Sequence, residues 1–187
     1  DKVRRLFAAD AGDSWRDRRD RVALLCLVLL GARRAEVARL TAGDVQGGVA
    51  HLLVKRDKQV DVGVPEYLTE EIARWRGLAG IEEGPLFPRC EGSARPMTGK
   101  MVYDAVRRAA MAAGLERVTP HALRRTFATL LGQRGVETKE IQTAMAHASI
   151  TTTERYQKAG RVAASAPGRA LVDLVRRSAS SDRDSDD

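Results

Sequence analysis

The sequence predicts a mainly α domain with one small antiparallel β-sheet, an α+β fold. Three observations carry that prediction. Helix-period apolar stripes with capping residues run through both halves of the chain. Two short β-type runs, residues 49–54 and 60–64, lie close together near the middle, and Gly or Pro punctuates the junctions. With 187 residues the chain can bury a sizeable core without disulfides, and one large domain is the simplest count.

The elements follow in order. Residues 2–9 form a short amphipathic segment closed off by Gly12. Ser14 and Asp17 have the spacing of a helix N-cap with an acidic partner three residues on. The helix they start is apolar on every side over residues 22–30, so it belongs at the centre of the core. Gly31 breaks it, and Ala32-Arg33-Arg34-Ala35-Glu36 leads into a second short helix bearing Val37, Ala38 and Leu40. Taken alone, paired arginines at such a junction read as a solvated turn. In the second β-type run Val60, Val62 and Val64 alternate with Asp61 and Gly63, and Lys55-Arg56-Asp57-Lys58-Gln59 lies between the runs. That is a hairpin with a basic tip.

Residues 69–78, with Ile72 and Trp75 three apart, read as a helix, and Pro85-Leu86-Phe87-Pro88 as a rigid apolar loop. Thr98 caps an amphipathic helix in which Val102, Ala105, Val106, Ala109 and Ala113 face inward and Gly114 marks the end. Its outer face carries Lys100, Arg107 and Arg108, placed equally for phosphate or for solvent. Thr119-Pro120 has the order of an N-cap followed by proline at the first helical position, so His121 and Arg124 fall one turn apart on one face. Leu123, Phe127, Leu130 and Leu131 form the buried side of that helix. Gly135 ends it, Thr138 can cap the next, and Ile141, Ala144 and Met145 make a short apolar stripe that stops before His147. Thr151 and Glu154 have capping-box spacing, which puts Tyr156 on a third short helix. Residues 160–168 are rich in small side chains and read as a linker. Residues 170–177, with Leu171, Leu174 and Val175 on one face, form a helix too short to stand alone and therefore docked on something.

Charge narrows the function. Lys and Arg number 32 against 25 Asp and Glu, giving +7; setting aside the last six residues, which hold four Asp and one Arg, leaves 31 against 21, or +10. With a pI near 9.9, the balance points to a polyanionic partner such as nucleic acid. Cys26 lies in an apolar run and Cys90 in a loop, with no pairing pattern, which suits a reducing cytoplasm. The longest apolar run, residues 22–30, is too short to cross a bilayer, and no signal peptide opens the chain, so no membrane association is expected. Three histidines, no Cys pair and no carboxylate cluster lead us to expect no dedicated transition-metal site.

In sequence order, Arg33 and Glu36, Lys55, His121-x-x-Arg124, His147 and Tyr156 resemble the catalytic domain of the tyrosine recombinase, or phage-type integrase, family. The resemblance covers roughly residues 15–158. Its most specific parts are HALRRTFATLL (121–131) and AHASITTTERY (146–156), in which His147 precedes Tyr156 by nine residues. It implies a tyrosine-recombinase-like fold: a catalytic domain over residues 1–160, then a linker and C-terminal helix over 161–178 that docks in cis or on a neighbouring protomer, then a disordered tail over 179–187.

It also implies a site-specific recombinase that cleaves and rejoins double-stranded DNA through a 3′-phosphotyrosine, with no cofactor, metal or ATP. Arg33 and Arg124 would hold the scissile phosphate, Tyr156 would attack it, and Lys55 would protonate the leaving oxygen. His121 and His147 would be the two active-site histidines. Self-association into a tetrameric synapse, a preceding N-terminal DNA-binding domain and a cytoplasmic, nucleoid-associated setting of bacterial or phage type complete the expectation. Ala35 replaces the family's frequent Ser, and Ala146 its frequent Gly. Lys55 lacks the usual flanking glycines, leaving Lys58 as the other candidate, and Arg125 also lies one turn from His121. Two other readings compete: a type IB topoisomerase, which shares the nucleophile chemistry but relaxes supercoils, and a non-catalytic DNA-binding module, which keeps the fold for recognition and against which the full set of catalytic positions speaks.

Overall fold

A computed structural model of the chain describes residues 2–9, 12–54, 59–145 and 166–180. Among these lie α1 (Lys2–Ala8), α2 (Trp15–Leu29), α3 (Arg34–Arg39), β1 (Val45–Gln46), β2 (Val49–Leu53), β3 (Gln59–Gly63), α4 (Glu66–Ala79), α5 (Gly99–Ala112), α6 (Pro120–Gln133), α7 (Thr138–Ala144) and α8 (Val172–Ser180). The mixture is the mainly α fold with one small antiparallel sheet that the patterning predicts.

Helix α2 organises the core. Ser14 caps it: its hydroxyl accepts from Asp17 N, and the Asp17 carboxylate accepts from Ser14 N, each at 3.2 Å. Every residue from Val22 to Leu30 is at most 4 % exposed, as an element apolar all round must be. Helices α3, α4, α5 and α6 and the 3-10 turn Pro167–Leu171 pack around it. Burial pushes the Cys26 thiol up to about 12, which leaves it an inert apolar filler.

The sheet has the order β1-β2-β3, all antiparallel, with Val45 opposite Ala50 and His51 opposite Asp61. Strand β1 is absent from the sequence reading, and its turn explains how it forms. Gly47 and Gly48 have φ of +56° and +74°, the pair of positive values that a two-residue hairpin turn requires.

Helix α4 starts at Glu66, three residues ahead of the expected position. Pro65 stands at its N-cap, and its carbonyl accepts from Leu68 N at 2.9 Å and Thr69 N at 3.1 Å. The apolar loop after α4 is built into the core: Leu86 and Phe87 are fully buried, and Trp75 Nε1 donates to Leu86 O at 2.8 Å. Thr98 caps α5 through Met101 N, as expected, but the deep positions are Val102, Ala105, Val106 and Ala110, with Ala109 and Ala113 half-buried at the edge. On the far side, Asp20 ties α2 to α5 by pairing with Arg19 at 2.7 Å and with Arg108.

Helix α6 has the expected Thr119 cap and Pro120 start, with Leu123, Phe127 and Leu131 buried and Leu130 half-buried. Thr138 is the first residue of α7 rather than its cap, and Ile141 N donates to Glu137 O at 3.0 Å. Helix α8 packs against α1 of the same chain, burying Leu174 and Val175, while the Arg176 guanidinium lies 5.3 Å above the Tyr67 ring. Gly168 explains how closely the turn before α8 approaches: a Cβ there would fall 1.9 Å from Leu29 O. No helix among the described residues is long and apolar enough to cross a membrane.

Candidate active site

The site is built where α2 ends. Gly31 leaves the helix with φ +61°, and the Phe127 ring of α6 fills the space where a side chain would stand, 2.6 Å from an ideal Cβ. That turn delivers Arg33 to the N-cap of α3. Glu36, one turn into α3, then closes on it twice: Oε2 accepts from Arg33 N and Oε1 from Arg33 Nη1, both at 2.7 Å. The carboxylate is 4 % exposed, and the cationic side chain and helix N-terminus together compensate its burial.

Arg124 enters from α6, on the buried side of the same turn, and is 6 % exposed. Its Nη1 donates to Gly31 O and its Nη2 to Met145 O, at the end of α7. Nη1 also lies 3.9 Å from Glu36 Oε2. Burial lowers the Arg124 pKa and the Arg33 charge lowers it further, while Glu36 raises it. A guanidinium starts so far above neutral pH that it keeps its proton. Two arginines therefore share one buried carboxylate, leaving one positive charge in excess. The Arg33 side chain is 40 % exposed, so the excess faces outward. Such an arrangement can bind a tetrahedral anion and stabilise charge that builds on it.

Neighbouring arginines are placed differently. Arg124 is buried in the cluster, whereas Arg125, the next residue, is exposed. Likewise Arg33 joins Glu36, whereas Arg34 turns toward α5. His121 is exposed one helical turn before Arg124, at the rim of the cluster's helix. Lys55, Lys58, His147 and Tyr156 lie outside the described residues. Glu36 stands in the sequence pattern without an assigned task. The three-residue spacing from Arg33 to Glu36 was a readable sign of this clamp, since it matches an N-cap and the third helical residue. The carbonyls of Gly31 and Met145 carried no comparable sign.

This architecture is that of tyrosine recombinase catalytic domains. An integrase from mycobacterium phage Brujita superposes with a TM-score of 0.70 at 22% identity, over 91% of this chain and 55% of that one. The XerH site-specific recombinase, in a post-cleavage complex with a palindromic difH substrate, gives 0.64 at 27% identity over 83% and 47%. The chain belongs to the phage integrase family, whose pattern it matches over residues 1–161. Its relatives include tyrosine recombinase XerA of Thermococcus kodakarensis, 31% identical over 75% of this chain and 51% of the relative. XerC of Rhodospirillum centenum is 34% identical over 76% and 43%. The chain spans about half the length of these relatives.

Proposed function

We propose that the protein is a site-specific DNA recombinase that cuts and rejoins strands through a 3′-phosphotyrosine at Tyr156. The observation that carries the reading is the pair Arg33 and Arg124, brought from two distant stretches onto one buried carboxylate in a chain of the phage integrase family. The phosphodiester sits on the two guanidiniums. Tyr156 Oη attacks phosphorus as its proton passes to His121, forming the new P–O bond. The bond to the 5′ oxygen breaks, and Lys55 supplies that oxygen's proton. A phenol of pKa ~10 needs such a base, and the arginines stabilise the charge added to the non-bridging oxygens. His147 donates a hydrogen bond to one of those oxygens.

The tyrosyl ester retains the bond energy, so a second 5′-hydroxyl reverses the step without ATP. Residues 1–160 form the catalytic domain in this reading, residues 161–178 comprise a linker and the C-terminal helix, and exchange takes place between copies of the chain assembled on double-stranded DNA, in a tetrameric synapse. The cell's nucleoid, in the cytoplasm, is the setting.

The test is covalent trapping. Incubation with a nicked DNA site should yield a denaturant-stable protein–DNA adduct that Tyr156→Phe abolishes, and an adduct persisting in that variant would refute Tyr156 as nucleophile. Arg33→Ala and Arg124→Ala should each slow adduct formation by 10²–10³-fold, about 3–4 kcal/mol. Supercoil relaxation without strand exchange would replace recombination by a topoisomerase activity.

A further inference from the structure

We propose that Arg34 and Tyr103 form a second phosphate contact, which takes a backbone phosphate next to the one held by Arg33 and Arg124; the inference rests on the DNA-cleaving reading above. Consecutive arginines at the start of α3 send their side chains to different places. Arg33 closes on Glu36, while Arg34 lies across the first turns of α5. An ideal Cβ on Gly99 would be 3.7 Å from Arg34 Cγ and 3.8 Å from its Cδ, and the guanidinium carbon is 6.0 Å from the centroid of the Tyr103 ring. That is the separation at which a cation still gains from an aromatic face.

The charge on Arg34 is left available. The residue is exposed, and among the described residues it pairs with no carboxylate. The acids closest in the chain or on the facing helix are already engaged: Glu36 by Arg33, and Asp104 by Lys100 at 2.7 Å. A guanidinium resting on a ring keeps the edge of its fork of N–H donors for an outside acceptor, and the ring limits the rotamer freedom lost on binding. Arg107, exposed one turn past Tyr103 on α5, continues the same positive edge. Successive phosphates on one DNA strand rise about 3.4 Å, so two diverging arginines that start from adjacent residues suit two phosphates better than one.

The test measures DNA affinity against salt for the whole chain in a Tyr156→Phe background, using a duplex whose cleavage point has been mapped with the parent protein. Arg34→Ala should weaken binding about tenfold at 0.1 M salt and reduce the log–log salt slope by about one. Arg34→Gln, which keeps the stem over Gly99, should lose the same slope. Tyr103→Leu, which removes the ring beneath the guanidinium, should lose part of the affinity and add nothing in combination with Arg34→Ala. A neutral methylphosphonate next to the cleavage point should cost the parent what Arg34→Ala costs, with no further loss in the variant. An unchanged slope in both Arg34 variants, or an undiminished methylphosphonate penalty in them, overturns the proposal. Failure of the parent to form any Tyr156 adduct overturns instead the reading beneath it.

Discussion

Gly31 shows at the scale of one residue how the core and the candidate site depend on each other. Its φ of +61° favours glycine, its missing Cβ admits the Phe127 ring, and its carbonyl receives Arg124. Gly31→Ala meets two penalties, about 1 kcal/mol for the left-handed backbone and about 1–3 kcal/mol for overpacking against Phe127. We expect a loss of about 2–4 kcal/mol in urea unfolding, together with slower adduct formation because the Arg124 acceptor shifts. Adding Phe127→Leu should recover the overpacking part and leave the backbone part, a coupling that a double-mutant cycle measures. If the single and double variants are equally unstable, the Phe127 contact is not the cause. From the sequence, Gly31 was readable as a helix breaker, but its service as an acceptor was not. Backbone carbonyls carry no residue-type signature, so their partners appear only once α6 is docked.

At the scale of elements, legibility followed the strength of the local signal. Ser14 with Asp17, Thr98, and Thr119 with Pro120 each mark a helix start by side-chain chemistry, and α2, α5 and α6 begin there. Strand β1 is two residues long, too short for any alternation to register, and only the Gly47-Gly48 pair announced it. The start of α4 carries no such mark, because Pro65 serves as its cap without a side-chain acceptor. Helix α8 was legible as an amphipathic piece in need of a partner, but the partner was not. That partner is α1, at the opposite end of the chain, with Leu174 and Val175 in the shared seam. Leu174→Ala should therefore cost about 2–5 kcal/mol. The unfolding midpoint should also be independent of protein concentration, since both helices belong to one chain. A midpoint that rises with concentration would show instead that α8 is held by a second copy.

For the whole molecule, the two halves of the arginine cluster come from the α2–α3 junction and from α6, and nothing in either stretch alone says that they meet. Only the family's order of residues linked Arg33 to Arg124 in the sequence. The structure supplies the physical link, because α2 packs on both α3 and α6, Glu36 pairs with Arg33 and lies 3.9 Å from Arg124, and Gly31 O accepts from Arg124. Charge is the other property that belongs to the whole chain. The last six residues lower the net charge from +10 to +7, and under the proposed function their acidic groups compete with DNA phosphates for the basic side chains. Within a Debye length of ~10 Å at 0.1 M salt that competition is felt, and at 1 M, where the length is ~3 Å, it is screened. A variant ending at Ser181 should thus bind non-specific duplex DNA more tightly than the full chain at 50 mM salt, with the two affinities converging as salt rises. Its log–log salt slope should be steeper, since each additional phosphate neutralised adds about 0.9. Fluorescence anisotropy across a salt series measures both quantities. Equal affinities at 50 mM would mean that the tail's charge does not reach the DNA-binding surface, and that the +10 body rather than the +7 chain is the right quantity for describing its encounter with DNA.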